Sequence, residues 1–387
     1  MAPPLVLEIN TRCWLREFSD DAGRDLTLAQ VADTEFAAWK KLGLTHIWLM
    51  GVWAAGPKSR DAARAQTDLQ ALCAEAFGEA GGENIVSSPY AIADYTVSAG
   101  LGGSVVLAHF RKKLHQYGMG LILDFVPNHV GLDHPWLETR PELFLRSHVA
   151  KPHAFPVQTP AGTRWVAHGR DPYFPPWIDT AQLDYSNSAT RAAMIELLHS
   201  VAQQCDGVRC DMAMLALNDV FGQTWREFPA TESLPTAEFW ADAITSVKKS
   251  HPDFLFIAEA YWNLEPRLHA LGFDYVYDKT FYDLVVRRDE KRLRAHVQSV
   301  GAAFNPVRFL ENHDESRIAS ILSAAEHKAA AVLLINQPGM RLLHDGQLTG
   351  RKRRLPGQFA RYWPEAPDRE IADFYQTLLL RFVQPIA

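Results

Sequence analysis

The sequence has few cysteines, no long apolar run and no excess of basic charge, and each shortage closes off a class of protein. Four cysteines in 387 residues (Cys13, Cys73, Cys205, Cys210) are too few for a disulfide scaffold, and no two form a CxxC pair. Free thiols without a zinc site are expected. No apolar stretch approaches the ~18 residues of a membrane span, and the opening MAPPLVLEIN lacks the basic-then-apolar order of a signal peptide. The expectation is a cytoplasmic protein with no membrane partner. A net charge of −6 argues against a nucleic-acid partner. The dense basic run Arg351-Lys352-Arg353-Arg354 reads as a solvated turn. There is no low-complexity tract and no internal repeat beyond an alternation of strand and helix.

What is present is ordinary globular material, 47% hydrophobic and 22% charged, enough for one large core. Strand-like apolar runs occur at LVLEI (5–9), HIWLM (46–50), GLILDFV (120–126), GVRCDM (207–212), FLFIAEA (254–260), FDYVYD (273–278), VRFLEN (307–312) and AVLLIN (331–336). Helix-like segments separate most of them, for example 28–43, 104–118, 188–205 and 236–250. Eight strands alternating with helices predict an α/β fold, a closed (β/α)8 TIM barrel. Two stretches break the rhythm. Residues 51–103 follow the second strand, and residues 131–185, rich in proline and aromatics (HPWLETRPELF, DPYFPPWID), follow the third. The expected division is a first part of the barrel at 1–130, an inserted irregular domain at 131–185 and the remainder of the barrel at 186–387.

A barrel of this kind carries its chemistry at the C-terminal ends of the strands. Four acids fall there: Asp124, Asp211, Glu259 and Asp314. Any one alone reads equally well as a helix cap or a structural ion pair. Four on one rim repel each other, a cost that function explains. Arg209 lies two residues before Asp211, on the same strand face. A buried charge needs a partner, and a cation there is expected to keep Asp211 anionic.

The segments DFVPNH (124–129), GVRCDMAM (207–214), IAEAYW (257–262) and FLENHD (309–314) resemble, in order and spacing, the four hallmark segments of the α-amylase superfamily, glycoside hydrolase family 13. LDYSN (183–187) resembles that family's additional segment at the end of its inserted domain. The resemblance spans nearly the whole chain. It implies a retaining α-glycosidase or transglycosylase acting on starch, maltooligosaccharides or a small α-glucoside. Asp211 would be the nucleophile, Glu259 the general acid and base, and Asp314 the third carboxylate, which positions sugar hydroxyls. Such a pair of carboxylates stands ~5 Å apart. The resemblance also implies that His129 and His313 hydrogen-bond the sugar, that Tyr90 stacks on it with Asp94 as structural partner, and that Arg209 contacts the site. Asp124 is expected as a rim support bonded to Arg209 or the histidines. Trp136, Trp165, Trp177 and Phe174 are candidates for lining the cleft, or for plain loop packing.

No cofactor is required by this chemistry. Asn128 matches a position that binds structural calcium in many members, although the insert offers no obvious acidic cluster for it. Two departures stand out. Members usually carry a β-sandwich after the barrel, and this chain stops at VQPIA, so either a minimal form or a truncation is expected. Met214 stands where many members place a lysine or histidine that contacts the sugar on the leaving-group side. Two other classes remain: a carbohydrate-binding or scaffold relative that has lost catalysis, which the intact acids oppose, and a metal-dependent barrel hydrolase, which lacks an HxH pair. Hydrolysis, transglycosylation and phosphorolysis are left open, as are exo or endo action and oligomeric state.

Overall fold

The computed structural model of the protein describes residues 3–159, 162–233 and 235–383. Eight parallel strands close into a barrel in strict chain order. They are β1 (Leu5–Asn10), β2 (His46–Met50), β3 (Gly120–Phe125), β4 (Gly207–Cys210), β5 (Leu255–Ala258), β6 (Tyr275–Tyr277), β7 (Pro306–Phe309) and β8 (Met340–His344). Alternation of period two sorts their side chains. One set, with Leu5, Leu7 and Ile9 of β1, packs outward under the helices. The other set, with Val6, Trp48, Ile122, Ile257, Val307, Met340 and Leu342, fills the barrel. In register, Arg209 of β4 pairs with Asp124 of β3 and Ile257 of β5, so this inward set turns from apolar to charged toward the C-terminal mouth.

Seven strands fall where the apolar runs place them, and the eighth does not. AVLLIN belongs to the helix Ala324–Ile335, while the strand is MRLLH, nine residues further on. The helix is started by a capping box: the Ser323 hydroxyl accepts the Glu326 amide and the Glu326 carboxylate accepts the Ser323 amide. Between helix and strand lies Gly339, at φ +88, where a Cβ would stand 2.5 Å from the Pro306 carbonyl oxygen. Only glycine fits there.

The two arrhythmic stretches are more regular than their sequences suggest. Residues 51–103 contain the antiparallel pair Trp53–Ala55 with Ile92–Val97 and the helices Pro57–Arg64 and Thr67–Phe77. The stretch after β3 contains the antiparallel pair His129–Gly131 with Thr180–Gln182, and a small sheet of Arg146–Ser147, Gly162–Ala167 and Ala154–Thr159. The four cysteines are free and buried. Among the described residues no helix is long and apolar enough to cross a membrane.

Candidate active site

At the mouth of the barrel the Arg209 guanidinium is buried, with 1% of its side chain exposed. Nη1 donates to Asp211 Oδ1 at 2.7 Å and lies 3.6 Å from Asp124 Oδ1. Nη2 lies 2.7 Å from Glu259 Oε2 and 3.9 Å from Asp314 Oδ2. Its N–H bonds do not point along the Glu259 contact, which is therefore an ion contact rather than an aligned hydrogen bond. Three rings surround the cation: Trp48 and Tyr90 at 5.3 Å and Tyr277 at 5.6 Å from their centroids. The loop ends are pinned to match. The Asp211 amide donates to the Phe125 carbonyl, and the chain then turns left-handed at Met212, φ 43, whose amide donates to Glu259 Oε2 at 2.7 Å. The Tyr261 hydroxyl donates to Glu259 Oε1 at 2.7 Å.

A second charged group, His313, stands beside this cluster. Its Nδ1 meets Glu8 Oε1 at 2.5 Å, and its Nε2 meets Asp314 Oδ2 at 3.0 Å and the Tyr90 hydroxyl at 2.8 Å. Burial alone would lower the proton affinity of His313, but Asp314 and Glu8 outweigh it and raise its pKa well above the ordinary histidine value. Burial would likewise raise Asp314, and the His313 charge, with help from Arg209, holds it below the usual carboxylate range instead.

Asp211 behaves differently from the sequence expectation. Burial, reinforced by the charges of Glu259, Asp124 and Asp314, pushes its pKa up to about 8 although Arg209 pulls the other way. One guanidinium shared among several carboxylates does not by itself offset the burial of Asp211. Asp124 is pushed up by burial as well, to about 6, against Arg209 and His313.

The cluster opens into a cleft of about 850 Å³ lined by Tyr90, His129, Asp211, Glu259, His313 and Asp314 among others. Residues 36–354 match the profile of the alpha amylase catalytic domain. The chain belongs to the alpha-amylase family. A curated relative, Alpha-amylase MalA of Haloarcula japonica, is 24% identical over 275 residues, which cover 68% of this chain and 37% of that protein. The chain thus spans little more than a third of its curated relative. Among solved structures, the noncanonic maltogenic alpha-amylase AmyB from Thermotoga neapolitana superposes with a TM-score of 0.69 at 22% identity, over 98% of this chain and 77% of that one. The cyclic alpha-maltosyl-(1→6)-maltose hydrolase from Arthrobacter globiformis gives 0.68 at 16% identity, over 100% and 85%. At these identities the superpositions show the fold.

Within this alpha-amylase-family barrel the sequence-derived candidates distribute unevenly. Tyr90 stacks on His313 with centroids 5.3 Å apart and faces the cleft. His129 is buried against Trp177 at 5.0 Å, and burial lowers its pKa to about 3, so its imidazole is neutral. Asp124 accepts from the Trp48 indole at 3.1 Å rather than from Arg209 or a histidine, and its contact with Arg209 is longer than a hydrogen bond. Asp94 is exposed on the strand Ile92–Val97, paired with Ala54 away from the cleft. Met214 points into the core, and Met212 lines the cleft instead, because the left-handed turn re-aims the chain after Asp211. Phe174 and Trp177 reach the cleft. Trp136 packs against His134 and Arg140, and Trp165 lies in the small sheet.

Asn128, the position compared with a calcium ligand, is buried. Its Oδ1 is taken by the Gln182 amide at 3.0 Å, and among the described residues no group of three or more His, Cys, Asp or Glu is placed to hold a metal. Glu8, Trp48 and Tyr261 were not singled out from the sequence. Glu8 carried the one available signal, an acid inside the apolar run LVLEI at an inward position.

Two outcomes follow from these charges. Between the ordinary value of 3.8 and about 8, folded Asp211 holds a proton that the unfolded chain has released, so stability falls as pH rises across that window. Asn cannot ionise, so Asp211→Asn is expected to be more stable than the parent, by a margin that grows by roughly 2 kcal/mol between pH 5 and pH 7. Urea unfolding at both pH values measures it, and a pH-independent margin would refute the raised value. Glu8→Gln keeps the shape and removes the charge, so the His313 ring is expected to titrate at a lower pH than in the parent. Ring 15N NMR reads this; an unmoved titration would mean that Asp314 alone holds the charge.

Proposed function

We propose that the protein cleaves α-glucosidic bonds with retention of configuration, through a glucosyl-enzyme formed on Asp211. Glu259 protonates the leaving oxygen, and its carboxylate then takes a proton from the incoming water or sugar hydroxyl. Asp314 and the charged His313 hold hydroxyls of the sugar being cleaved, the neutral His129 hydrogen-bonds another, and Tyr90 packs on its C–H face. Arg209 and Asp124 orient the nucleophile. Residues 131–185 act as the inserted domain that walls the cleft, between barrel parts 1–130 and 186–387.

What carries this reading is the shared guanidinium. Asp211 and Glu259 each lie 2.7 Å from a different nitrogen of Arg209. Two carboxylates gathered on one guanidinium are compatible with the ~5 Å separation of retaining pairs, and this favours retention over inversion. Burial favours the protonated form of Asp211 in the free site, whereas the reaction needs that carboxylate ionised and Glu259 as the proton donor. A bound sugar therefore has to favour the ionised nucleophile, which a developing positive charge at the anomeric carbon does.

The acceptor is water or a sugar hydroxyl rather than phosphate. Acids such as Asp171, Asp179, Glu265 and Asp283 line the cleft beside the reacting carboxylates, against Lys279 and Arg354, and that field disfavours an anion as it disfavours nucleic acid. The buried free thiols suit a reducing compartment, and we place the protein in the cytoplasm.

Asp211→Asn and Glu259→Gln are each expected to lower turnover of maltooligosaccharides by several orders of magnitude with the fold retained by circular dichroism. Near-parent activity in either variant defeats the assignment. The first-formed product is expected to be the α-anomer by 1H NMR, and a β-anomer appearing first would exclude retention.

A further inference from the structure

The rim of the barrel has one place without a loop. Strand β1 runs directly into the helix Thr11–Ala22, capped by the last strand residue, because the Asn10 side chain accepts the Cys13 amide at 3.3 Å. In the ring of strands β1 lies between β2 and β8, and both of these are followed by long segments. Without further contacts the rim would have a notch above β1, through which a chain lying in the cleft could pass.

The segments after β2 and β8 meet across that notch. Ile85 and Phe359 form an antiparallel bridge, the Val86 amide donates to the Gln358 carbonyl at 2.8 Å, and the Ala360 amide donates to the Asn84 carbonyl at 2.9 Å. Gly357 lies so close to Pro89 that a Cβ would stand 3.2 Å from the Pro89 Cδ. Arg12, in the first turn of the helix, ties both segments together: Nη1 donates to the Ser87 carbonyl at 2.9 Å and Nη2 to the Gly357 carbonyl at 2.8 Å. Its Nε is buried without a partner, and among the described residues no acid pairs with this guanidinium. Withdrawing a guanidinium from water without a carboxylate is costly. Here the charge serves two backbone carbonyls of segments that are about 270 residues apart in sequence.

Pro89, Tyr90, Gly357 and Gln358 of these segments line the cleft together with Asp314. A general acid stands next to the leaving oxygen, so the loop of Glu259 marks the side of the departing sugar. That side is open, with Tyr173 68% and Phe174 70% exposed on a loop whose amides the Asp171 carboxylate accepts. The side after β2 and β8 is closed. We propose that segments 84–90 and 356–360, stapled by Arg12, form a wall that ends the cleft behind the sugar being cleaved, so that the protein takes α-glucosides by their free nonreducing ends and does not cut within a chain. This rests on Asp211 and Glu259 being the catalytic pair. Arg12 is a positioning residue, acting through the wall it holds.

Discrimination against a capped end tests the wall. Isothermal titration of the Glu259→Gln chain, chosen to keep the ligand intact, compares maltoheptaose with maltoheptaose carrying a 4,6-ethylidene group on its nonreducing glucosyl unit. The capped ligand is expected to bind about tenfold more weakly, and equal affinities overturn the wall. Adding Arg12→Met, with the fold checked by circular dichroism, is expected to bring the two affinities within about twofold. A gap as wide as before overturns the role of Arg12. Should the methionine variant not fold, Arg12→Lys, with a single nitrogen for two carbonyls, is expected to narrow the gap, and an undiminished gap counts against Arg12 in the same way. Turnover by the parent separates this inference from the catalytic assignment. Equal cutting of capped and free maltoheptaose overturns the wall and leaves Asp211 and Glu259 in place, whereas a parent that cuts neither yet binds them unequally keeps the wall and loses the catalytic pair.

Discussion

The arrangement at the barrel mouth depends on one buried cation. Removing a guanidinium from water is costly, and Arg209 is tolerated because carboxylates from the ends of β3, β4, β5 and β7 and the faces of three rings surround it. The dependence runs both ways. Asp124, Asp211 and Glu259 repel one another, and a positive charge between them offsets part of the cost of the closeness that the strand pairing imposes. Because several acids share the cation, it does not fully compensate any one of them, which is why burial prevails at Asp211.

His313 supplies the second positive charge, and its source lies far away in sequence. Glu8 reaches it from the first strand, 305 residues earlier, and Asp314 from the adjacent position. The imidazolium thus has an acid at each ring nitrogen and a tyrosine stacked on its face. Two unlike neighbourhoods result: Asp211 in a proton-retaining pocket and Asp314 beside a fixed cation, half exposed to the cleft. Carboxylates of one chemical kind are thereby given opposite proton affinities by what surrounds them.

Much of this was legible in the sequence because period-two alternation and the strand-end rule are strong local constraints. Asp124, Asp211, Glu259 and Asp314 each follow an apolar run, and the barrel brings such positions together. What could not be read were features set by the third dimension. AVLLIN has the composition of a strand, and only the Ser323–Glu326 capping box upstream marks it as helix. Glu8 stands alone in β1, so nothing nearby announces its histidine. The family resemblance implied Asp94 as a partner for Tyr90, but the antiparallel pairing with Ala54 carries it to the surface. Met214 was compared by position, yet the left-handed Met212 re-aims the following residues inward. The exposure of Tyr173 and Phe174 likewise depends on hydrogen bonds to Asp171 that no periodicity encodes.

The ring of strands closes where β1 meets β8, Leu5 beside Arg341 and Glu8 beside His344. Every other neighbouring pair joins consecutive strands, so this seam spans by far the longest loop and carries the largest ordering entropy. During synthesis Leu5–Asn10 is made long before its second neighbour, Met340–His344. Until that seam forms, Glu8 has no enclosed position from which to reach His313, and the acids at the mouth face water unmatched. The paired charges at the mouth are thus withheld from the nascent chain until Met340–His344 has been made.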